Sequence, residues 1–366
     1  MTSKTHDLFL SHVRLGIGHV DSINFTDKVD WEALKVLADQ HGLSAVVLDG
    51  VNGLSGLSSL SNSAVQGPAK QFLLQWIGEV MQSYEGRYAA YEKAIGSLAG
   101  FYNQHGYKMM VLKGYVCSLD WPNPKHRPCG DIDIWQFGQQ READTVLTNE
   151  KDLKIDTAHH HHTVFEWDGF SVENHYDFLN VYHHKSNVEM ESILKELGND
   201  DSHYVELNGE KVYLPSANLH ALFLLRHSMS NFASTGFQLR QLLDWAFFVE
   251  KHYEEIDWVW LESQLEHFGM KKLYDVFNAI CVEDLGFDVK LFPQVQFQPQ
   301  LKKRVLNDVL SPEFSEKESG GFFSRAVFKY RRWKANKWKH ELCFKESMWS
   351  AFWSGVWGHL MKPGMI

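Results

Sequence analysis

The chain has 366 residues, of which 44% are hydrophobic and 14% aromatic, a mixture typical of a globular protein with two or three domains. This aromatic content excludes intrinsic disorder as the main state, because disordered chains lack the apolar surface that offsets ordering entropy. The formal net charge is −10. We therefore expect no chain-wide basic surface for duplex nucleic acid.

The sequence predicts neither membrane insertion nor secretion. No apolar window approaches the ~18 residues of a membrane span, and His12 and Arg14 interrupt the apolar stretch near the N-terminus. The four cysteines lie far apart and form no CxxC pair, which argues against a disulfide framework or a cysteine zinc site. We expect a cytoplasmic protein with reduced thiols.

The first region, residues 1–104, is predicted to be helical. A helix that begins after Asp30, as its N-cap, and ends at Gly42 fits the spacing of the apolar residues between them. The Gly/Ser/Asn-rich stretch 50–67 predicts a loop. Residues 68–104 then predict one long helix.

A second region, residues 105–215, contains the strand patterns. Short apolar or alternating runs, with turn signals at Asp168-Gly169 and Asn208-Gly209, favour strands over helices. The predicted strands lie within 109–112, 131–135, 157–182 and 205–214, and a helix is predicted over 139–150.

The third region, residues 216–366, is predicted to be helical again, to about residue 285. A polar, Pro-marked segment, 288–320, follows, and the last helical stretch is rich in Trp and basic residues. For its part 322–357 three interpretations stay open: a single-stranded nucleic-acid surface, an interfacial amphipathic helix, or a helical pair whose Trp residues are core. We favour the last, because Trp at helical spacing is usually packed.

The strand around Asp131 and Asp133 carries the strongest chemical signal. Side chains two positions apart in a strand project from the same face, so these two carboxylates lie together while Ile132 and Ile134 face a core. Adjacent carboxylates repel unless a cation lies between them, and Mg²⁺ prefers oxygen ligands. The alternative is an edge strand with a solvated acidic face.

Cationic and glycine residues near these carboxylates suggest phosphate binding. Lys113-Gly114 ends a predicted strand and precedes a predicted short helix, so that backbone N–H groups and a mobile ammonium would face an anion. Arg127 would clamp a phosphate with two hydrogen bonds. The alternatives are a solvated Lys at a strand end and a loop Arg paired with an acidic neighbour.

A third carboxylate, Glu173, is expected from the hairpin around Asp168-Gly169. A two-residue turn pairs Trp167 with Phe170, Phe165 with Val172, Val164 with Glu173 and His162 with His175. The aromatic face would be core, and the other face would carry Glu173 with His162, His175 and His160, the last opposite Asp177. These histidines would tune Glu173, bind substrate or bind a softer metal. A register slip of one residue would move Glu173 to the aromatic face.

The motifs at these positions resemble those of the polymerase-β-like nucleotidyltransferase superfamily, and most closely an uncharacterised bacterial nucleotidyltransferase family. That family has a pattern of the form LKG…P…R…GDxDI followed by V-E-x-H. Here the pattern stands as Leu112-Lys113-Gly114, Trp121-Pro122, Arg127, Gly130-Asp131-Ile132-Asp133-Ile134 and Val172-Glu173-Asn174-His175. Leu239–Asp244 resembles the family's helical LR-x-L-x-D segment. The resemblance spans residues 30–250.

This resemblance implies an α+β fold in which a small mixed β-sheet is flanked by N-terminal and C-terminal helical regions. It also implies nucleotidyl transfer that depends on Mg²⁺ or Mn²⁺, with an NTP, expected to be ATP, as donor. The metal ligands would be Asp131, Asp133 and Glu173, and the phosphate-facing residues would include Lys113 and Gly114. Better-known members have Gly-Ser at the latter position.

Two functions follow as hypotheses. The first is an enzyme that moves a nucleoside monophosphate to a hydroxyl of a small molecule, a sugar or a protein. Asp131 and Asp133 would hold the nucleotide's metal, Glu173 would hold or activate the acceptor, and Lys113 and Arg127 would neutralise phosphate charge. The second is a nucleotidyltransferase fold that binds a nucleotide or a partner without chemistry.

Overall fold

A computed structural model describes residues 3–23, 29–58, 67–182, 184–234, 237–293, 298–314, 321–351 and 353–354. The helices are α1 Ser3–Gly16, α2 Trp31–Gln40, α3 Ser44–Ser58, α4 Lys70–Val80, α5 Arg87–Gln104, α6 Gly114–Ser118, α7 Gln140–Lys151, α8 Lys185–Leu197, α9 Ala217–Ser234, α10 Leu239–His252, α11 Trp258–His267, α12 Lys271–Glu283, α13 Pro299–Leu310 and α14 Phe322–Cys343. The strands are β1 Met110–Val111, β2 Ile132–Trp135, β3 His162–Trp167, β4 Phe170–His175, β5 Tyr204–Leu207 and β6 Glu210–Tyr213.

The six strands form one mixed sheet in the order β3-β4-β2-β1-β6-β5. The β2–β4 and β1–β6 pairs are parallel, whereas β1–β2, β3–β4 and β5–β6 are antiparallel. Helices precede and follow these strands in the chain. The predicted α+β class, a small mixed sheet flanked by helical regions, is therefore confirmed.

The two faces of the sheet pack into different hydrophobic clusters. One cluster joins α5 and α7 to the face that carries Ile132, Ile134 and Val172. The other joins the opposite face, through Trp135, to α1–α3 and to the C-terminal helices. Hydrophobic packing thus crosses the boundaries drawn at residues 104/105 and 215/216, and the three-domain division stays a prediction.

The register predicted for the β3–β4 hairpin is confirmed. Trp167 pairs with Phe170 and Val164 pairs with Glu173, so the one-residue slip that would have moved Glu173 does not occur. At the turn, Asp168 and Gly169 both have positive φ angles, 49° and 80°. Positive φ at both central residues is what a type I′ turn requires, and its twist matches that of the paired strands.

The long helix predicted over 68–104 exists, but it contains a π-helical turn. Helix α4 continues into π-helical Met81–Gly86 and then into α5 without a break. The end signals of α2 are also confirmed: Asp30 Oδ1 accepts a hydrogen bond from the backbone N–H of Ala33 at 3.0 Å, and Gly42 has a φ of 65°.

Several predicted boundaries are wrong. Helix α3 continues to Ser58, although a loop was expected from residue 50; the rest of that stretch, 59–66, lies outside the described residues. Helix α13 occupies part of the polar segment 288–320. The polar pattern did not indicate this helix, because only one stripe of α13, around Val305 and Val309, is buried.

The Trp-rich C-terminal segment only partly supports the core interpretation. Trp338 packs against the larger hydrophobic cluster, whereas Trp349 and Trp353 are about 60% exposed. Trp357 lies outside the described residues. No helix in the part of the chain that the structure describes is long and apolar enough to cross a membrane.

A buried histidine, His126, ties the π-helical turn to α3. Its Nδ1 lies 2.6 Å from Asp49 Oδ2 and its Nε2 lies 3.2 Å from Glu85 Oε1. Burial lowers the pKa of His126, but the hydrogen bonds to Asp49 and Glu85 outweigh it and raise the pKa above 6.5. Only the imidazolium can donate to both carboxylates.

We therefore expect the free energy of unfolding to depend on pH through His126. Because the pKa is raised in the folded state, the stabilisation is complete below pH 6.5 and is lost as pH rises through the folded-state pKa. The free energy of unfolding, measured with urea, should fall between pH 6 and pH 8.5, and the fall should be up to about 1 kcal/mol larger in the wild type than in His126→Gln. If the difference in free energy of unfolding between wild type and His126→Gln were the same at both pH values, this role of His126 would be contradicted.

Candidate active site

The sheet brings the three predicted carboxylates together. Strands β2 and β4 are parallel neighbours in which Asp133 and Glu173 are directly paired. Asp131 immediately precedes β2 and is exposed. Burial raises the pKa of Asp131, and the charges of Glu173 and Asp133 raise it further. Asp131 is thus close enough for its charge to interact with those of the other two carboxylates, but it lies outside the group that Asp133, Glu173 and His175 form within 4.8 Å of one another.

Lys113 lies among these carboxylates. Its Nζ donates to Asp133 Oδ1 at 2.6 Å, and both side chains are largely buried. Burial lowers the pKa of Lys113, but the charges of Asp133 and Glu173 outweigh it and raise the pKa. Burial opposes the charge of Asp133, yet Lys113 and His175 hold its pKa well below the usual range. The sequence predicted that Lys113 would bind phosphates, whereas in the structure its ammonium binds the Asp133 carboxylate.

The backbone of Lys113 is unusual for a side-chain-bearing residue. With φ 45° and ψ −110° it occupies a region that favours glycine, at the sharp turn between β1 and α6. Such conformations cost about 1–3 kcal/mol and cluster at functional sites. Helix α6, Gly114–Ser118, has only five residues, which leaves little macrodipole for the anion site that was predicted at its start.

His175 is the second cation of the site. It is fully buried; its Nε2 lies 3.0 Å from Asp133 Oδ1 and its Nδ1 lies 3.2 Å from the carbonyl oxygen of Asp177. Both ring nitrogens therefore face acceptors, which requires the imidazolium. Burial and Lys113 lower the pKa of His175, but its hydrogen bonds to Asp133 and Glu173 outweigh them and raise it.

The other predicted histidines are divided. His162 lies on the Glu173 face, with its Nε2 3.9 Å from Glu173 Oε1, and burial lowers the pKa of His162 to about 4. His160 lies before the first residue of β3, and its ring packs on Tyr182 at 4.8 Å. His161, which the sequence analysis did not select, contacts the rings of both His162 and His175.

Arg127 is buried and paired with an acidic residue. Its Nε and Nη2 donate to the two oxygens of Asp244 at 2.8 and 3.0 Å, and Trp121 Nε1 donates to Asp244 Oδ1 at 2.9 Å. Burial lowers the pKa of Arg127, but the Asp244 charge outweighs it and raises it. The structure pairs Arg127 with an acidic residue, as the alternative had it, and contact of Arg127 with a phosphate stays a prediction.

The two predicted glycines have different surroundings. A Cβ on Gly114 would lie 3.0 Å from the hydroxyl oxygen of Tyr91, whose O–H also donates to the Asp131 carbonyl at 2.7 Å. A Cβ on Gly130 would meet nothing within 4 Å. Packing therefore constrains position 114 and leaves position 130 unconstrained.

Lys113 lines a cavity of about 550 Å³, together with Arg127 and Asp244, whereas none of the three predicted carboxylates lines it. His227, which the sequence left as either a core or a cleft residue, lines this cavity, and burial lowers the pKa of His227 to about 3, with Lys113 adding to the effect. Its sequence partner His220 is buried against Phe248 instead. The cavity lining also includes Arg240, Gln40, Gln238, Gln241 and Asn231. Such polar groups can hold an anionic or hydroxyl-bearing ligand.

A family comparison identifies the chain. Residues 27–285 match the model of a family described as an uncharacterised nucleotidyltransferase. The protein belongs to this nucleotidyltransferase family. The resemblance drawn from the motifs is confirmed at this level, and the bacterial branch and the polymerase-β-like superfamily stay predictions.

Other comparisons add little. The chain is similar to the crystal structure of an antigenic nucleotidyltransferase-like protein from Paracoccidioides brasiliensis, with 14% sequence identity and a TM-score of 0.34. The similarity covers 54% of this chain and 93% of that chain. This similarity is too distant to carry an inference. A comparison with curated proteins finds no match.

Proposed function

We propose that this nucleotidyltransferase family member moves a nucleoside monophosphate from an NTP, expected to be ATP, to a hydroxyl group of an acceptor. One observation carries the proposal: Asp133 and Glu173 are paired on adjacent strands, Asp131 immediately precedes the first of them, and Lys113 joins this group to a polar cavity. Convergent carboxylates next to a polar cavity suit phosphoryl chemistry, in which positioning and charge neutralisation dominate catalysis.

The carboxylates fit a divalent cation in their chemistry. Oxygen atoms are the ligands that Mg²⁺ and Mn²⁺ prefer, and donor atoms of Asp133, Glu173 and His175 lie within 4.8 Å of one another. Three carboxylates against the cations Lys113 and His175 leave one negative charge uncompensated among these five side chains. Asp131, Asp133 and Glu173 would hold the cation, which would supply positive charge to phosphate oxygens.

Lys113 and Glu173 would have distinct roles in the reaction. Lys113 already lines the cavity, and its ammonium would give up its bond to Asp133 and bind the phosphates of a bound NTP instead. Burial raises the pKa of Glu173, but the hydrogen bond to His175 outweighs it and lowers it, so Glu173 is an ionised base. The acceptor oxygen would bond to the α-phosphorus as the bond to pyrophosphate breaks, and the hydroxyl proton would pass to Glu173.

Pyrophosphate release tests the proposal. Full-length protein is incubated with each NTP, candidate hydroxyl acceptors and Mg²⁺ or Mn²⁺, and the pyrophosphate released is measured. We expect turnover that requires the metal and falls at least about 10³-fold in Asp131→Ala/Asp133→Ala. Glu166→Gln is the matched control, because it removes an exposed carboxylate from the same hairpin face.

A second candidate function is supported by the Lys113–Asp133 ion pair. If this pair is permanent, the ammonium fills the space that a metal needs, and the protein binds a nucleotide or a partner without chemistry. Equilibrium binding of each NTP, measured with the same variants, separates the two functions. NTP binding without turnover, unchanged in Asp131→Ala/Asp133→Ala, would overturn the enzymatic proposal and support the binding function.

A further inference from the structure

Three imidazoles converge at the open end of the β3–β4 hairpin. The ring centroids of His161 and His162 lie 4.4 Å apart. The centroid of the His175 ring lies 5.5 Å from that of His161 and 5.3 Å from that of His162. One nitrogen from each of the three lies within 4.8 Å of the others. This cluster differs in chemistry from the neighbouring group of Asp133, Glu173 and His175, because its three members are all imidazoles.

The chain bends so that two consecutive histidines can face the same point. Within a strand, His161 and His162 would project from opposite faces. Residues 159–161 form a bend, however, and the carbonyl oxygen of His161 accepts from the backbone N–H groups of Tyr176 and Asp177, both at 3.1 Å. This local geometry, pinned by the opposite strand, turns His161 towards His162.

Nitrogen atoms in this cluster lack partners. The Nδ1 atoms of His161 and His162 are buried and have no hydrogen-bond partner in the described part of the chain. The whole His162 residue is only 8% exposed. An unsatisfied buried polar atom costs about 1–3 kcal/mol, so a ligand that uses these nitrogens would be favoured.

Glu173 supplies a fourth donor near the imidazoles. Its Oε1 lies 3.9 Å from His162 Nε2, and its Oε2 lies 3.6 Å from His175 Nε2. Three imidazoles and one carboxylate are a donor set that suits Zn²⁺ and similar borderline cations, whereas Mg²⁺ prefers oxygen. Zinc–nitrogen bonds of about 2.0–2.1 Å would require the nitrogens to approach to roughly 3.4 Å, a closure of at most about 1.4 Å from the 4.8 Å within which they lie.

We propose that His161, His162 and His175, with Glu173, form a second metal site that binds a Zn²⁺-class cation. His175 would exchange its hydrogen bond to Asp133 for the cation and release its proton to solvent. Because Glu173 and His175 also belong to the carboxylate group, the two sites lie side by side and share these ligands.

Cobalt spectroscopy tests this site without relying on activity. Full-length protein is freed of metal with a chelator and titrated with Co²⁺, and the visible d–d absorption of a tetrahedral ion is followed. We expect one Co²⁺ per chain, displaced by Zn²⁺. His161→Ala should weaken binding by more than about 100-fold, since even loss of an outer hydrogen-bond partner of a metal ligand costs about 10–100-fold.

The histidine run itself provides the matched control. His159 is half-buried; its Nε2 lies 3.5 Å from Asp156 Oδ2, and its ring stacks on that of His162 without joining the group of three converging nitrogens. His159→Ala should therefore leave Co²⁺ affinity within about threefold. Equal losses in His159→Ala and His161→Ala, or no d–d band in the wild type, would overturn the proposal. Should His161→Ala fail to fold, the more conservative His161→Asn replaces it.

One further variant separates this site from the proposed reaction. Asp133→Asn removes a carboxylate outside the imidazole cluster. We expect it to abolish pyrophosphate release while retaining the Co²⁺ spectrum. Loss of the spectrum in Asp133→Asn would overturn the imidazole site, whereas absence of turnover in a wild type that binds Co²⁺ would count against the reaction alone.

Discussion

Replacing Lys113 with alanine should tighten Mg²⁺ binding by about 10–100-fold and slow pyrophosphate release by about 10²–10³-fold. The first effect follows because the Lys113–Asp133 bond, of a kind worth about 1.5–3 kcal/mol, competes with the metal for the carboxylate. The second follows because the variant lacks the ammonium that would neutralise phosphate charge. Isothermal titration with Mg²⁺ and the pyrophosphate assay measure the two effects.

Lys113→Gly is the matched variant, since it also lacks the ammonium but suits the positive φ of this position. It should share the metal and rate effects of Lys113→Ala while being more stable than the alanine variant by about 1 kcal/mol in urea unfolding. Tighter Mg²⁺ binding with an unchanged rate of pyrophosphate release would show that Lys113 competes with the metal but does not assist the reaction. No change in metal binding would show that it does not compete with the metal.

Asp244→Ala should lower the free energy of unfolding by roughly 3–5 kcal/mol. The substitution leaves the buried Arg127 guanidinium without its partner, and removal of one member of a buried ion pair costs about this much. It also strips the acceptor from Trp121 Nε1. Urea unfolding followed by tryptophan fluorescence measures the loss.

An exposed ion pair provides the comparison. Arg304 also binds a carboxylate with two hydrogen bonds, to Glu313, but both side chains are more than 40% exposed. Glu313→Gln should therefore cost less than about 1 kcal/mol. The double replacement Arg127→Met/Asp244→Leu should recover most of the loss, because it removes both charges. A small effect of Asp244→Ala would contradict the assigned role of the pair.

The hairpin that carries Glu173 was predictable because its signals are local. Asp168-Gly169 specifies the turn, the turn specifies the register, and the alternation of Phe165 and Val172 specifies the buried face. The strand period likewise placed Asp133 on the face opposite Ile132 and Ile134, whereas Asp131 lies just before the first residue of β2. The neighbour relation between β2 and β4 is not local, and it rested on the resemblance to a family.

The partners of Lys113 and Arg127 were not predictable from sequence pattern. Asp244 is 117 residues from Arg127 along the chain, and a motif shows that both residues occur without showing that they meet. In the structure, the motif residues divide into two groups. Lys113 joins the carboxylates, whereas Trp121, Arg127 and Asp244 form a buried clamp that fixes the loop before β2 to α10.

His161 was missed for a different physical reason. Strict alternation places it opposite His162, and only the bend at 159–161 cancels the alternation. A run of four histidines at the end of a strand was the available signal, since consecutive residues can converge only where the strand ends. Helix α13 was missed because its buried stripe is narrow.

The π-helical turn at Met81–Gly86 lets one continuous helix, α4 followed by α5, pack into both hydrophobic clusters. Before it, Trp76 and Val80 pack with the terminal helices; after it, Tyr88 and Tyr91 pack on the sheet. A π turn holds one residue more than an α turn, and one residue rotates the following side chains by about 100°. Deleting a single residue there would move the Tyr91 hydroxyl away from the Asp131 carbonyl oxygen, to which it donates, so the backbone position of Asp131 depends on the helical geometry of a segment far earlier in the chain.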